Sequence, residues 1–403
     1  MSTLITNIGE LMTQDREQAV LRNAAVVFEG ERISWIGAAT EAPAADTLVD
    51  AEGRAGLPGW VDSHTHLVFA GDRTAEFEAR MAGQDYAAGG IAVTTDATRA
   101  ASDYDLTRLL LGRVTEATAG GTTYLETKTG YGLEVNHEAR SARIAAGVVD
   151  EVTFLGAHLI PAGIAPDDYV RLVCGPMLDA VRPYVGWADV FCERGAFTPE
   201  QSREILGACQ AAGLGLRVHG NQLGPGEGVQ LAVEFGAASV DHVNYLEASD
   251  INALAGTWSG WDSGAGSGVR GTVATCLPAC DLSTRQPLAP GRALLDAGVE
   301  IALASNCNPG TSYTTSMAYC VTTAVLQMRL SVHEAIRAAT FGGAVALHRE
   351  TGRDDDGVRA VGSLAVGHRA DLQLLNAPSA THLAYRPGVP LTHSVWKQGV
   401  RVV

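Results

Sequence analysis

The sequence predicts an α/β protein: a (β/α)8, TIM-like barrel with a small β-sandwich domain formed jointly by the N- and C-terminal segments. Three observations predict it. Eight short apolar runs recur between about residue 57 and residue 306, with helix-like stretches between them. Four histidines, His64, His66, His219 and His242, stand at the ends of such runs. Both chain ends carry β-like segments that do not continue the repeat. A chain of 403 residues accommodates a barrel of about 250 residues plus a smaller layer. The expected boundaries are 1–56 and 361–403 for the two parts of the small domain and 57–360 for the barrel.

The N-terminal part contains Asn23-Ala-Ala-Val-Val-Phe-Glu and Arg32-Ile-Ser-Trp-Ile-Gly, joined by Glu29-Gly30-Glu31, which reads as a hairpin turn. Barrel strands are expected in the runs starting at Leu57, Thr123, Val152, Asp189, Leu214, Ala238, Thr272 and Val299. An amphipathic stretch from Ser202 to Ala212 exemplifies the intervening helices. Gly256 to Arg270 is Gly- and Ser-rich and reads as a mobile surface insertion, whose Trp258 and Trp261 are candidates to gate a site. The C-terminal segments Ala370-Asp-Leu-Gln-Leu-Leu and Ser394 to Val403 are again strand-like. Neither end is long enough to stand alone, so the two are expected to pair.

Composition narrows the function. Forty-five acidic against 29 basic residues give a net charge of −16, which argues against nucleic acid as a partner. No apolar run approaches the roughly 20 residues of a membrane span. The seven cysteines are scattered, and the N-terminus lacks the charged-then-apolar pattern of a signal peptide. A reducing cytoplasm is the expected setting. Cys276 and Cys280 form a C-x3-C pair, but Pro278 lies between them and no second pair is near, so both read as core cysteines. Cys307 is expected to line the site without acting as a nucleophile.

The histidines carry the chemistry. Side chains alternate along a strand, so His64 and His66 face the same side and can grip one ion together. His219 at the end of a fifth strand adds a third imidazole. Three neutral imidazoles with open positions suit one divalent ion, Zn2+ or Fe2+. Such an ion lowers the pKa of a coordinated water from about 15.7 towards about 7 and polarises a carbonyl, which points to hydrolysis or hydrolytic deamination. The eighth run ends in Asn306, where a carboxylate is expected. For a binuclear site the bridging candidate is Lys128. His137, His333, His348, His368, His382 and His393 lie away from the strand ends and read as ordinary histidines.

Several segments together resemble the imidazolonepropionase family of the amidohydrolase superfamily: Pro58 to Arg73, Thr129-Gly-Tyr-Gly-Leu133, Thr153 to His158, Asp189-Val-Phe-Cys-Glu193, Asn308-Pro-Gly-Thr311 and Gly362 to Leu372. The resemblance runs nearly end to end. It implies hydrolysis of the cyclic amide 4-imidazolone-5-propanoate to N-formimidoyl-L-glutamate in histidine degradation, by a homodimer acting on a small anionic heterocycle. It further implies that His64, His66 and His219 hold the metal with Asn306 at the family's Asp position. Arg73 would take the substrate carboxylate, with Tyr86, Tyr131, His158, Asn308, Gly310 and Thr311 lining the substrate and His242 as acid/base. An ion pair of Arg73 with Asp72 or Glu76 is the ordinary alternative.

Two positions depart from the pattern. Gln222 stands where many relatives carry Glu, and an amide cannot act as a general base; this shifts weight to His242. Asn306 binds metal more weakly than a carboxylate and cannot carry a proton to the leaving nitrogen. Two alternatives therefore stand beside the family activity. One is another cyclic-amide hydrolase or a heterocycle aminohydrolase; the other is a catalytically silent substrate-binding homologue.

Overall fold

The computed structural model describes every residue of the chain except 16, 18, 84–89, 263–267, 352–356 and 358. Five strands come first: β1 (Ser2–Met12), β2 (Val20–Glu29), β3 (Arg32–Ala38), β4 (Thr47–Asp50) and β5 (Ala55–Pro58). β1, β2 and β3 form an antiparallel meander, and β4 and β5 pair in parallel with successive parts of β1. The sequence pattern did not mark β1, and the reason is a bulge. Its register shifts between Ile5 and Ile8, around Asn7 with a φ of 55°. The extra residue lets Ile5 and Ile8, three apart, both enter the core of this domain, which erases the two-residue alternation of a regular strand.

The chain then passes from one sheet into another. β5 ends at Pro58 within the terminal sheet, and the first barrel strand, β6 (Trp60–Asp62), begins two residues later. Leu57 and Pro58 thus belong to the terminal sheet. Gly59 sits at the crossing, where a Cβ would lie 2.2 Å from Thr123 Oγ1; only glycine permits that approach.

The remaining barrel strands are β7 (Thr122–Lys128), β8 (Glu151–Ala157), β9 (Trp187–Cys192), β10 (Gly215–Gly220), β11 (Ser239–His242), β12 (Val273–Cys276) and β13 (Ile301–Leu303). They pair in parallel in sequence order from β6 to β13. β7, β8 and β9 are buried along their whole length, as expected of a sheet covered on both faces. Just beyond the strands the ring is drawn together. The Asn306 N–H donates to the His64 carbonyl and the His66 N–H to the Cys307 carbonyl, each at 2.9 Å. Ser305 donates its N–H (3.0 Å) and O–H (2.5 Å) to the Asp62 carboxylate.

Helices cover the outside. The one at Pro199–Ala211 starts in a capping box, with Thr198 Oγ1 accepting from the Gln201 N–H and Gln201 Oε1 from the Thr198 N–H. The segment between β6 and β7 is the longest of these connections and carries Arg73 over the top of the barrel. At the C-terminus β14 (Leu372–Leu375) pairs antiparallel with β5, and β15 (Thr392–Lys397) and β16 (Val400–Arg401) extend the same sheet. The chain ends therefore share one mixed sheet, with Ile5, Ile8, Phe28, Leu372, Leu374 and Trp396 in its core.

The candidate gating role of Trp258 and Trp261 is excluded by their position. The Trp258 ring N–H donates to the Thr272 carbonyl at 3.2 Å, and the two indoles meet edge to face at 5.6 Å. Thr272 precedes β12, so this cluster lies at the N-terminal end of the strands, opposite the histidines. Part of the supposed insertion, 263–267, lies outside the described residues. Among the described residues no helix is long and apolar enough to cross a membrane.

Candidate active site

At the C-terminal ends of the barrel strands four imidazoles converge. His64 and His66 leave β6, His219 stands in β10 and His242 closes β11. Ring centroids are 4.5 Å apart for His64 and His219, 5.3 Å for His64 and His66, 5.5 Å for His66 and His219, and 5.3 Å for His219 and His242. Ring nitrogens of His64, His219 and His242 come within 4.8 Å of one another. All four side chains are buried. His64 Nε2, His66 Nδ1, His242 Nδ1 and Asn306 Oδ1 are buried without a hydrogen-bond partner.

Each such orphan costs about 1–3 kcal/mol, and a cation among them offsets the cost. Burial pushes His64, His66 and His242 well below the ordinary histidine value. These three imidazoles are therefore neutral, as ligation requires. The donor set fits a divalent metal ion.

Beneath the imidazoles lies a buried ionic network. His64 Nδ1 is 2.6 Å from Asp241 Oδ2, and His219 Nδ1 is 3.0 Å from Asp189 Oδ2, the latter without hydrogen-bond alignment. Lys128 Nζ lies 2.9 Å from Asp189, 3.1 Å from Glu126 and 3.9 Å from Asp241, and Arg217 Nη2 lies 3.4 Å from Asp241. Burial raises the Asp241 carboxyl, but Arg217 and His64 outweigh it and hold the group well below the usual carboxylate range. Lys128, surrounded by carboxylates, serves as their counter-ion; a carboxylated lysine would add a further negative charge there. The sequence reading missed Asp241, Asp189, Glu126 and Arg217, although Asp241 is the immediate neighbour of His242.

Above the imidazoles lies a small cavity of about 30 Å3, partly open to solvent. Arg73, Tyr131, His158, Gln222, Asn308 and Thr311 line it with His66, His219, His242 and Asn306, joined by Ile91 and Phe191, which the sequence reading had not singled out. Tyr86 lies outside the described residues. His64 sits below the cavity floor.

Arg73 combines both readings made of it. It is buried, it reaches the cavity, and its Nε and Nη2 are held by Glu76 at 2.8 and 2.6 Å. Its guanidinium lies so close to Gly310 that a Cβ there would come 2.2 Å from Nη1. Gly310 thus acts through the space it leaves. Asn308 spends its amide within the turn: Oδ1 accepts from the Gly310 and Thr311 N–H groups at 2.9 and 2.8 Å, and Nδ2 donates to the Asn306 carbonyl at 2.7 Å.

On the opposite wall, His158 Nδ1 lies 2.9 Å from the Gly130 carbonyl, and burial pushes this histidine down to about 3. It is a neutral ring, stacked on His66 at 5.5 Å. Its neighbour Tyr131 rides on a loop whose Gly130, Gly132 and Leu133 N–H groups all donate to the buried Glu138 carboxylate. Glu193 in turn accepts the Gln222 N–H at 2.5 Å. Several residues here hold left-handed backbone: His242 (φ 86°), Val243 (51°), Asn306 (51°), Asn221 (55°) and Leu133 (51°). In non-glycine residues such conformations cost about 1–3 kcal/mol and concentrate at functional sites.

Comparison with known proteins agrees with this geometry. The model of the amidohydrolase family matches residues 191–402. An imidazolonepropionase of Arthrobacter sp. (strain FB24) is 78% identical over 401 residues, covering 100% of both chains. That of Streptomyces coelicolor is 51% identical over 410 residues, covering 100% of this chain and 99% of its own. Among solved structures, the fold is similar to atrazine chlorohydrolase from Arthrobacter aurescens TC1 complexed with zinc (TM-score 0.72, 17% identity, 100% of this chain and 95% of that one). It is also similar to a Xanthomonas campestris adenosine deaminase with bound zinc (TM-score 0.69, 18% identity, 99% and 92%). With barrel, histidine cluster and full-length identity in agreement, the chain belongs to the imidazolonepropionase family of the amidohydrolases.

Proposed function

We propose that this chain hydrolyses 4-imidazolone-5-propanoate to N-formimidoyl-L-glutamate, a step of histidine degradation. The observation that carries this reading is the placement of Arg73 in the same small cavity as the histidines. A guanidinium there suits a substrate that ends in a carboxylate, and two parallel charge-assisted hydrogen bonds would fix the propanoate tail. Tyr131 and His158 then border the ring. Opening the ring adds water across the amide: the C–N bond breaks, a C–O bond forms, and the leaving nitrogen takes a proton.

His64, His66 and His219 would hold one divalent ion, Zn2+ or Fe2+, with the Asn306 amide oxygen as a weaker neighbour. When bound, such an ion polarises the ring carbonyl and makes water more acidic. The chain's own groups must move the proton. Asn306 and Gln222 have no basic lone pair on their amide nitrogens, whereas neutral His242 accepts a proton from water and returns it to the ring nitrogen. His66 and His158 flank the ring from one side, and Phe191 and Ile91 exclude bulk water. Seven free cysteines support a reducing, cytoplasmic setting, and family membership supports a homodimer.

Neutral Asn306 and Gln222 favour one second reading, a chain that binds the same substrate without turnover. The test is loss of the imidazolone ultraviolet band on mixing with metal-loaded protein, run beside a calorimetric titration and an ammonia assay. Loss of the band without ammonia is expected. Binding with a persistent band selects the silent homologue, and ammonia release selects an aminohydrolase.

A further inference from the structure

A second group of ligating atoms converges next to the first. His242, Cys280 and Asp281 each bring a donor atom to within 4.8 Å of the others, and all three side chains are buried. Cys280 and Asp281 are adjacent on the helix Pro278–Thr284, which follows β12, while His242 arrives from the end of β11. Their contacts leave ligating capacity. His242 Nδ1 is buried without a partner. Cys280 Sγ lies 4.0 Å from Gln222 Nε2, a long contact, and also meets the Thr311 and Asn306 side chains. Asp281 accepts the Ala289 N–H at 3.4 Å, also long, and a hydrogen bond from the Asn244 side chain, which leaves carboxylate lone pairs over. A buried carboxyl beside a buried thiol and a neutral imidazole is a costly arrangement when nothing cationic joins it.

We propose that His242, Cys280 and Asp281 form a second, inhibitory site for a thiophilic divalent cation such as Zn2+. One imidazole nitrogen, one thiolate and one carboxylate are the donors zinc takes, and three protein ligands leave its fourth position open. Thiolate and carboxylate together balance a divalent charge, and the thiol proton is released to solvent on binding. The soft sulfur ligand disfavours Mg2+, Ca2+ and Mn2+. The C-x3-C spacing therefore misleads: Cys280 joins a histidine and an aspartate, and the partner that matters lies 38 positions earlier in the chain. Inhibition follows because a metal on His242 removes the imidazole from proton transfer. That part rests on the role proposed above for His242; the site itself does not.

The test uses full-length protein first loaded with one equivalent of metal, then titrated with Zn2+, and in parallel with Co2+ as a spectroscopic probe. The expected result is a second metal per chain, a thiolate-to-Co2+ charge-transfer band, and turnover reduced by about 100-fold or more, the low end of what acid/base participation contributes. Cys280→Ser and Cys280→Ala should each abolish the band, and Cys280→Ala should return the stoichiometry to one and relieve the inhibition. A single metal per chain under excess Zn2+ and Co2+, or a second metal that binds equally to Cys280→Ala, would overturn the site. A thiolate band with undiminished turnover would overturn the inhibition, and with it the assignment of His242.

Discussion

Asp241 Oδ2 stands 2.6 Å from His64 Nδ1, and the opposite ring nitrogen, His64 Nε2, faces the cluster without a partner. The carboxylate keeps the proton on Nδ1, so the lone pair on Nε2 is the one presented to a metal. Two further contacts hold Asp241 ready for this task, Arg217 at 3.4 Å and Lys128 at 3.9 Å.

Asp241→Asn should therefore weaken metal binding by about 10- to 100-fold. Competition against a chelator of known affinity measures it. An unchanged affinity would mean that His64 is held by the strand alone.

Lys128→Met leaves Glu126 and Asp189 buried with a shared counter-ion removed. Breaking one side of a buried ion pair costs about 3–5 kcal/mol, and urea denaturation of the metal-free protein reads it. A loss under about 1 kcal/mol, the scale of an exposed pair, would contradict the counter-ion role.

Arg73→Met should raise KM by tens- to thousands-fold, corresponding to a lost charged contact of roughly 2–5 kcal/mol, with metal content unchanged. Steady-state kinetics at constant metal occupancy decide this. Reduced stability with an unaltered KM would reduce Arg73 to the partner of Glu76.

His158 sets a pH dependence of stability. Unfolded, it takes up a proton as pH falls below about 6.5; folded, burial delays this to about 3. Stability is fully present above the unfolded value and is lost as pH falls through this window, at about 1.4 kcal/mol per unit from this one group. Denaturation at pH 5 and pH 7 should show a smaller acid loss in His158→Phe than in the parent chain. Equal losses would place the acid sensitivity elsewhere.

The barrel was legible because its strands are buried on both faces and so appear as short, mainly apolar runs set between helix-like stretches, and because His64, His66, His219 and His242 close such runs. β1 was not legible: its bulge at Asn7 breaks the alternation that identifies a half-buried strand. The ionic network escaped for a different reason. Lys128, Asp189, Arg217 and Asp241 lie inside apolar strands, and their partners are set by barrel closure, as with His64 and Asp241, 177 positions apart. Glu138 looks like any surface helix residue until the Tyr131 loop is seen to fold around it. For Trp258 and Trp261 the sequence left a gating role open, because composition marks an insertion without telling at which end of the barrel it sits.

Asn306 bears the central claim, that an amide stands here where the family resemblance implies a metal-binding and proton-carrying carboxylate. Its Oδ1 is buried and unpartnered beside the imidazoles, on backbone held by the His64 carbonyl. General acid/base participation contributes about 10^2- to 10^4-fold in rate. The most direct measurement is steady-state hydrolysis of 4-imidazolone-5-propanoate by this chain and by Asn306→Asp at matched metal occupancy. The account predicts slow turnover by the chain and a gain in kcat of at least about tenfold in the variant, with KM little changed. Fast turnover by the chain with no gain from Asn306→Asp would contradict it and show that His242 moves the proton at full rate with no carboxylate beside it.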